Sequence, residues 1–245
     1  LRTLEVRGLT KSFGGIKAVS NLSFYADEGY VKAIIGPNGA GKTTVFNLIS
    51  GLIAPDGGEI FFSGKKINSL KPYERARIGI GRTFQKSFVF EELTVFENVL
   101  VIAENVKSKM WDRFLKPEEI SENALKLVGL DCKANEPAGT LSTGERHLLE
   151  IARALALKPK VMLLDEPAAG LNDAETEKLE QVLVNLKEQG MCIILVEHDM
   201  KFVMRASDEV LVMHRGEKLA EGPPMMIQED DRVIEAYLGS RIHHD

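Results

Sequence analysis

Cysteine is nearly missing: Cys132 and Cys192 are the only two in 245 residues. Neither has Cys-x-x-Cys or metal-ligand spacing, which excludes a disulfide-stapled scaffold, a dithiol redox centre and a cysteine zinc site, and leaves buried or inert thiols. No apolar run approaches the roughly 20 residues that cross a bilayer, and Leu1 to Thr10 lacks the apolar centre of a signal peptide, so a soluble, cytoplasmic chain is expected. A large charge of one sign is lacking too. The 31 basic and 36 acidic residues leave a net charge of −5, and no nucleic-acid partner is expected. There is no internal repeat and no low-complexity linker. What the chain does have is 245 residues, 44% of them hydrophobic, enough to bury a sizeable core as one large domain.

Glycine, by contrast, is concentrated where chemistry can use it. Gly36-Pro37-Asn38-Gly39-Ala40-Gly41-Lys42-Thr43 fits the G-x-x-x-x-G-K-[ST] phosphate loop. Val31, Ala33, Ile34 and Ile35 before it read as a buried strand, and Thr44 to Ser50 after it have helical spacing. Strand, loop and helix are the setting the motif requires. Glycines let the backbone approach phosphates closely, and successive N–H groups at a helix start cradle an anion. Lys42 is placed to reach the β- and γ-phosphates of a nucleotide, and Thr43 to put its hydroxyl on Mg²⁺.

The order along the chain is mixed α/β. Leu4 to Leu9, Ala18 to Phe24 and Glu59 to Phe62 read as short strands parted by turn residues, and are expected to form an antiparallel sheet beside the phosphate loop. From about Lys86 to Ala156 the pattern is helical. Thr94-Val95-Phe96-Glu97 has capping-box spacing, Pro117 opens a helix ending near Gly129, and another begins after Ser142. Apolar runs at Val161 to Leu164, Cys192 to Val196 and Val210 to Met213 then alternate with helices, which favours a parallel sheet. Val161-Met162-Leu163-Leu164-Asp165-Glu166 puts two carboxylates at the carboxyl edge of that sheet, where α/β proteins bind ligands. Asp165 is suited to Mg²⁺ or its waters, and Glu166 to taking a proton from water attacking the γ-phosphate.

Leu141-Ser142-Thr143-Gly144-Glu145 completes a motif order that resembles, essentially end to end, the ATP-binding subunit of an ATP-binding cassette (ABC) transporter. The segment is similar to the family signature LSGGQ and departs from it at Thr143 and Glu145. Read locally, Ser142 with Glu145 three residues on is also a capping box, a role compatible with the first. The fold implied is α/β: a P-loop NTPase (RecA-like) core with an antiparallel β subdomain and an inserted helical subdomain. It is a single ABC ATPase domain over 1–245, in which 1–85 and 157–245 form the nucleotide-binding core with its β subdomain. Residues 86–156 form the helical subdomain that carries the signature.

Residue by residue, the resemblance implies a catalytic set of Glu166, His198 as the switch histidine and Gln85 of the Q-loop. It implies a nucleotide site of Phe13, stacked on adenine, with Gly36, Pro37, Asn38, Gly39, Ala40, Gly41, Lys42, Thr43, Thr44, Ser142 and Gly144, and a Mg²⁺ site of Thr43, Gln85 and Asp165. Phe13 also reads as a hydrophobic plug beside a turn. Ala169-Gly170-Leu171-Asn172 stands where the family has its D-loop. In this family ATP sits between the phosphate loop of one subunit and the signature of another, so the expected partners are ATP, a second ATPase subunit, identical or paralogous, and transmembrane permease subunits. The place implied is the cytoplasmic face of the inner membrane, as a peripheral protein.

The wording of Gly36 to Asn47, of Gly81-Arg82-Thr83-Phe84-Gln85, of Asp165 to Asn172, of Glu197-His198-Asp199-Met200 and of Ala236-Tyr237-Leu238-Gly239 is similar to the ATPases of branched-chain amino-acid importers. Motors of urea or amide importers, motors of lipid or lipopolysaccharide exporters, soluble ABC ATPases and a non-hydrolysing scaffold are the alternatives. Phe84, Phe88, Val89, Phe90 and Leu93 either dock a cytoplasmic helix of a permease or fill the helical subdomain's own core. Trp111 with Lys107, Lys109, Arg113 and Lys116 reads as a solvated face or as a contact to headgroups or a partner.

Overall fold

The computed structural model describes residues 2–83, 89–105 and 116–238; Phe84, Gln85, Phe88, Lys107, Lys109, Trp111, Arg113 and Gly239 lie outside them. Apolar alternation starts the first sheet. In β1 (Arg2–Phe13) Leu4, Val6 and Leu9 are buried. The rhythm breaks at Gly8, whose φ is 56°, and the ladder shifts register there. In β2 (Ile16–Asp27) Asn21, with φ 48°, sits at the next shift, between the Leu9–Leu22 and Lys11–Val19 pairs. The alternation alone predicts shorter strands, Leu4 to Leu9 and Ala18 to Phe24. Both run for 12 residues, because a bulge lets pairing continue where the pattern slips.

β2 leads into β3 (Val31–Ile35), which enters a second sheet and ends at the phosphate loop. Helix α1 (Lys42–Ser50) follows, and β4 (Gly57–Phe62) and β5 (Lys65–Lys66) return to the first sheet, whose antiparallel order is β2-β1-β4-β5. After α2 (Pro72–Ile78) and β6 (Ile80–Arg82) come α3 (Val95–Glu104), α4 (Pro117–Val128) and α5 (Thr143–Leu155). Thr94 caps α3 with the expected box, accepting from Glu97 N at 3.1 Å while Thr94 N donates to Glu97 Oε2 at 2.8 Å. Then β7 (Val161–Asp165), α6 (Asp173–Glu188), β8 (Cys192–Val196), α7 (Met200–Ala206), β9 (Glu209–His214) and β10 (Glu217–Gly222) alternate, and α8 (Pro224–Gln228) and α9 (Asp231–Leu238) end the described chain.

The second sheet has the order β10-β9-β3-β8-β7-β6. Its pairs are parallel except the β9–β10 hairpin at one edge. Odd and even residues of its strands feed two cores. Ala33, Ile35, Leu164, Leu195 and Val212 pack with α3, α4, α5 and α6 on one face. Ile34, Leu163, Ile194, Leu211 and Met213 pack with α1 and the first sheet on the other. A sheet covered on both faces needs near-continuous apolar strands, which is why β3, β7 and β8 are buried at every residue.

The far end of α1 is held by an unusual cap. Arg75 of α2 is 1% exposed and donates to Leu48 O at 2.6 Å and Ile49 O at 2.9 Å, with further bonds to Leu70 O and Asn68 O. A cation on the last carbonyls suits the negative end of a helix. Burial lowers the guanidinium's pKa from its ordinary value, so the side chain is retained against a desolvation cost. Arg75→Met is expected to lower unfolding free energy by about 3 kcal/mol, since it strands buried carbonyls; urea denaturation measures this, and an unchanged midpoint counts against the cap.

Candidate functional site

The phosphate loop lies where β3 stops. Gly36 has φ 150°, and a Cβ there would meet Met213 O at 2.1 Å; at Gly41, φ 101°, it would meet Ala18 O at 2.2 Å. These two glycines let the loop pass between β9 and the β2 hairpin. Gly41 is the N-cap of α1, with no side-chain cap on the helix start, so its first backbone N–H groups suit an anion. Lys42 is 6% exposed, and its Nζ donates to Gly36 O at 2.7 Å and Pro37 O at 3.2 Å. Burial pushes its ammonium below the usual lysine range, against the pull of Glu166 and Asp165. Thr43 is exposed and Thr44 half-buried in the first turn.

Register brings the acids to the same edge. Asp165 pairs with Val196 across β7 and β8, while Ile34 of β3 pairs with that same Val196, so Asp165, Glu197 and Gly36 leave the sheet side by side. Asp165 is 6% exposed, and its Oδ2 meets Arg82 Nη2 at 3.1 Å. Burial raises its carboxyl above the ordinary value and Arg82 pulls it back. The other nitrogen of Arg82, Nη1, donates to Asn47 Oδ1 and Ser50 Oγ, each at 2.8 Å. Arg82 therefore ties Asp165 to the phosphate-loop helix.

Glu166 bends out of the strand with φ 51°, its N–H on Val196 O at 2.9 Å. That turn aims Oε1 at His198 Nε2, 3.0 Å away. Beneath them Glu197 is 3% exposed and accepts from Ala168 N at 2.8 Å and His198 N at 3.0 Å. Burial raises the Glu197 carboxyl, opposed by those backbone donors. Glu197 and Arg82 are absent from the sequence-based site. Both stand inside motifs singled out there, beside His198 and Gln85, and for Glu197 a charged residue at the end of an apolar strand was the available signal.

Ser142 and Gly144 are brought together at the start of α5, away from the loop residues in sequence and bonded to another element. Ser142 accepts from Glu145 N at 3.2 Å and Ser142 N donates to Glu145 Oε2 at 3.0 Å, the capping box expected locally. Glu145 also pairs with Lys133 at 2.8 Å. Glu175 of α6 reaches both donors: Ser142 Oγ at 2.8 Å and Gly144 N at 3.3 Å lie on its Oε1. One turn on, His147 Nδ1 is 3.0 Å from Pro167 O, so α5 touches the turn that carries Glu166. Asn172 caps α6, accepting from Glu175 N at 3.0 Å.

Phe13 ends β1, 48% exposed, with Lys11 Nζ 5.5 Å from its ring centre. Gln85 falls outside the described residues. Of the apolar group after it, Val89 packs against the core while Phe90 is 48% exposed. Asn98 fixes Phe90 by accepting from its N at 2.8 Å and donating to its O at 2.9 Å. Behind the loop, α9 is a brace: burial pushes the Tyr237 hydroxyl up to about 12, with the Gly36 N–H opposing. A cavity of about 720 Å³ lies between Pro37, Asn38, Gly39, Ala40 and the His214, Arg215 and α9 side; it flanks the cradle without including Lys42.

These residues fit a nucleoside triphosphate. The Gly36 and Gly41 backbone sits where a side chain would collide, the helix start is uncapped, and a buried cation stands beside them with only carbonyl acceptors. They also fit a hard divalent cation, because Thr43 and Asp165 supply oxygen. Among the described residues no three His, Cys, Asp or Glu side chains form a metal-holding group.

The profile of the ABC transporter family matches residues 19–169, and that of branched-chain amino acid ATP-binding cassette transporters matches 217–243. The high-affinity branched-chain amino acid transport ATP-binding protein BraF of Pseudomonas aeruginosa is 42% identical, over 96% of this chain and 97% of its own. Escherichia coli LivG, of the same description, is 40% identical over 96% and 97%. Among solved structures, the ADP conformation of an ABC transporter's ATP-binding cassette superposes with a TM-score of 0.87 at 34% identity, over 98% of this chain and 99% of that one. A dimeric cassette in a post-hydrolysis state with ADP and Pi gives 0.77 at 29% identity, over 90% and 98%.

Proposed function

This chain belongs to the ATP-binding subunits of ABC transporters, and from that premise we propose that it is the ATP-hydrolysing motor of a branched-chain amino-acid importer. The Glu166–His198 contact at 3.0 Å, set at the sheet edge beside the phosphate loop, carries the catalytic half of this reading. The carrier half rests on the two relatives at 42% and 40% identity and on the match over 217–243.

The mechanism follows from the residues. ATP lies along residues 36–44, and Lys42 leaves Gly36 O and Pro37 O for the β- and γ-phosphates. Glu166 accepts a proton from the attacking water, and His198 holds Glu166 Oε1 in place and faces the γ-phosphate. Thr43, Asp165 and Gln85 would hold Mg²⁺, which would supply neutralisation of phosphate charge. Arg82 and Glu197 keep Asp165 and the Glu166 turn at fixed separations. Phe13 offers an exposed ring to adenine. Residues 86–156 act as the helical subdomain, whose Ser142 and Gly144 close on the γ-phosphate of a nucleotide held by a neighbouring ATPase subunit. Closure and hydrolysis then move the permease subunits.

Among the described residues no helix is long and apolar enough to cross a membrane; in this reading the permease subunits hold the chain at the inner membrane. The docking face is the half-exposed Phe90, whose ring centre is 5.1 Å from the guanidinium of Arg153, which lines a cavity of about 240 Å³ with Arg82, Thr83, Ile102, Glu150 and Ala154. The test is recovery of a tagged chain from detergent-solubilised membranes, together with leucine, isoleucine and valine uptake in a deletion strain. Stoichiometric multi-span subunits and loss of uptake are expected. Intact uptake of all three would overturn the cargo, and recovery without membrane subunits would overturn the motor role.

A further inference from the structure

The signature segment already holds an anion, and it comes from this chain. Glu175 Oε1 takes the Ser142 hydroxyl at 2.8 Å and the Gly144 N–H at 3.3 Å, the same donors assigned above to a neighbour's γ-phosphate. The fit is close: a Cβ on Gly144 would lie 2.6 Å from the Glu175 carboxyl carbon. Ser142 first, then the Asn172 backbone, holds this carboxyl below the usual glutamate range, so it is anionic at neutral pH. Two anions cannot share one pair of donors without strong repulsion.

We propose that Glu175 is a built-in competitor for the signature: its carboxylate occupies Ser142 and Gly144 in the separated subunit, and the neighbour's γ-phosphate must displace it before the sandwich closes. This rests on the reading of Ser142 and Gly144 as a nucleotide half-site. The contact also has a second end. Glu175 Oε2 accepts from Asn172 N at 3.2 Å, and Asn172 closes the segment that begins at Glu166. Displacing the carboxylate therefore loosens a bond in the turn following this chain's own general base, so closure at one half-site is felt at the other. The helix start does not depend on that carboxylate alone, because Asn172 Oδ1 still caps α6 from Glu175 N at 3.0 Å.

The test is ATP-driven dimerisation of the Glu166→Gln protein, followed by sedimentation, with Glu175 intact or changed to Gln, Asp or Ala. Releasing the donors from a charged partner is expected to tighten the ATP-bound dimer about tenfold for Ala. Gln should tighten it less, and Asp, one methylene shorter, should tighten it while keeping the charge on α6. A purely structural capping role predicts lower melting temperatures and a dimer no tighter than the parent's; that pattern across the three variants overturns the proposal. Gln retains the size and one of the two acceptor oxygens, so the comparison stands even if Ala unfolds. Failure of the Glu166→Gln parent itself to dimerise with ATP overturns the sandwich reading, and this proposal with it.

Discussion

Glu166→Gln is expected to cut ATP turnover by about 10²–10⁴-fold, the usual worth of a positioned general base, while ATP-dependent dimerisation survives. Gln has the size of Glu and tolerates the φ of 51° no worse, and the backbone anchor on Val196 O at 2.9 Å does not involve the side chain. What disappears is a carboxylate that can accept a proton within reach of His198. Binding is untouched because the phosphate loop, Lys42 and Thr43 keep their places. The subunits then stay closed on uncleaved nucleotide, since closure needs the γ-phosphate and opening needs its loss. Phosphate release and sedimentation on the same preparation separate the two effects. Turnover equal to the parent's would remove Glu166 from the base role, and loss of the dimer would show that the side chain helps to bind.

That experiment probes the part of the site most legible in sequence. The phosphate loop, the Asp165-Glu166 pair and the Ser142 box are local patterns, a few residues long and tied to one element boundary each, and periodicity places such boundaries well. The central strands β3, β7 and β8 were equally legible, because burial on both faces demands continuous apolar residues. The links between motifs were not. Arg82 meets Asp165 across 83 positions of sequence, Glu197 meets Ala168 across 29, and Glu175 meets Ser142 across 33. No local propensity encodes such contacts; they arise only when strand order sets β6, β7 and β8 side by side and α5 meets α6. The edge strands were hidden for a different reason. β6 is three residues long and β10 reads Glu-Lys-Leu-Ala-Glu-Gly, so neither has the apolar run that marks a central strand, and an edge strand does not need one. Gly8 and Asn21 hid the true length of β1 and β2 because a bulge inverts the alternation partway along.

Lys42→Met is expected to cost at least about 100-fold in ATP affinity, because it removes a buried cation from the phosphates it serves, and yet to leave the nucleotide-free protein as stable as before or more so. The Lys42 Nζ bonds are to Gly36 O and Pro37 O, carbonyls that offset only part of the cost of burying an ammonium. The lowered pKa expresses that imbalance. Because the folded state binds this proton less tightly than the unfolded chain, the penalty is complete below the folded pKa and fades as pH rises through it towards the ordinary lysine value of 10.5. Wild-type stability should therefore gain on the variant's as alkaline pH is approached. Methionine fills the space of the stem and brings no charge. Thermal melts then read both consequences at once: the parent gains about 2.7 kcal/mol when ATP is present at a hundred times its dissociation constant, and the variant gains almost nothing at the same concentration. A Lys42→Met protein that melts well below the parent without nucleotide would mean that the ammonium holds the loop together, and that its place there is structural before it is catalytic.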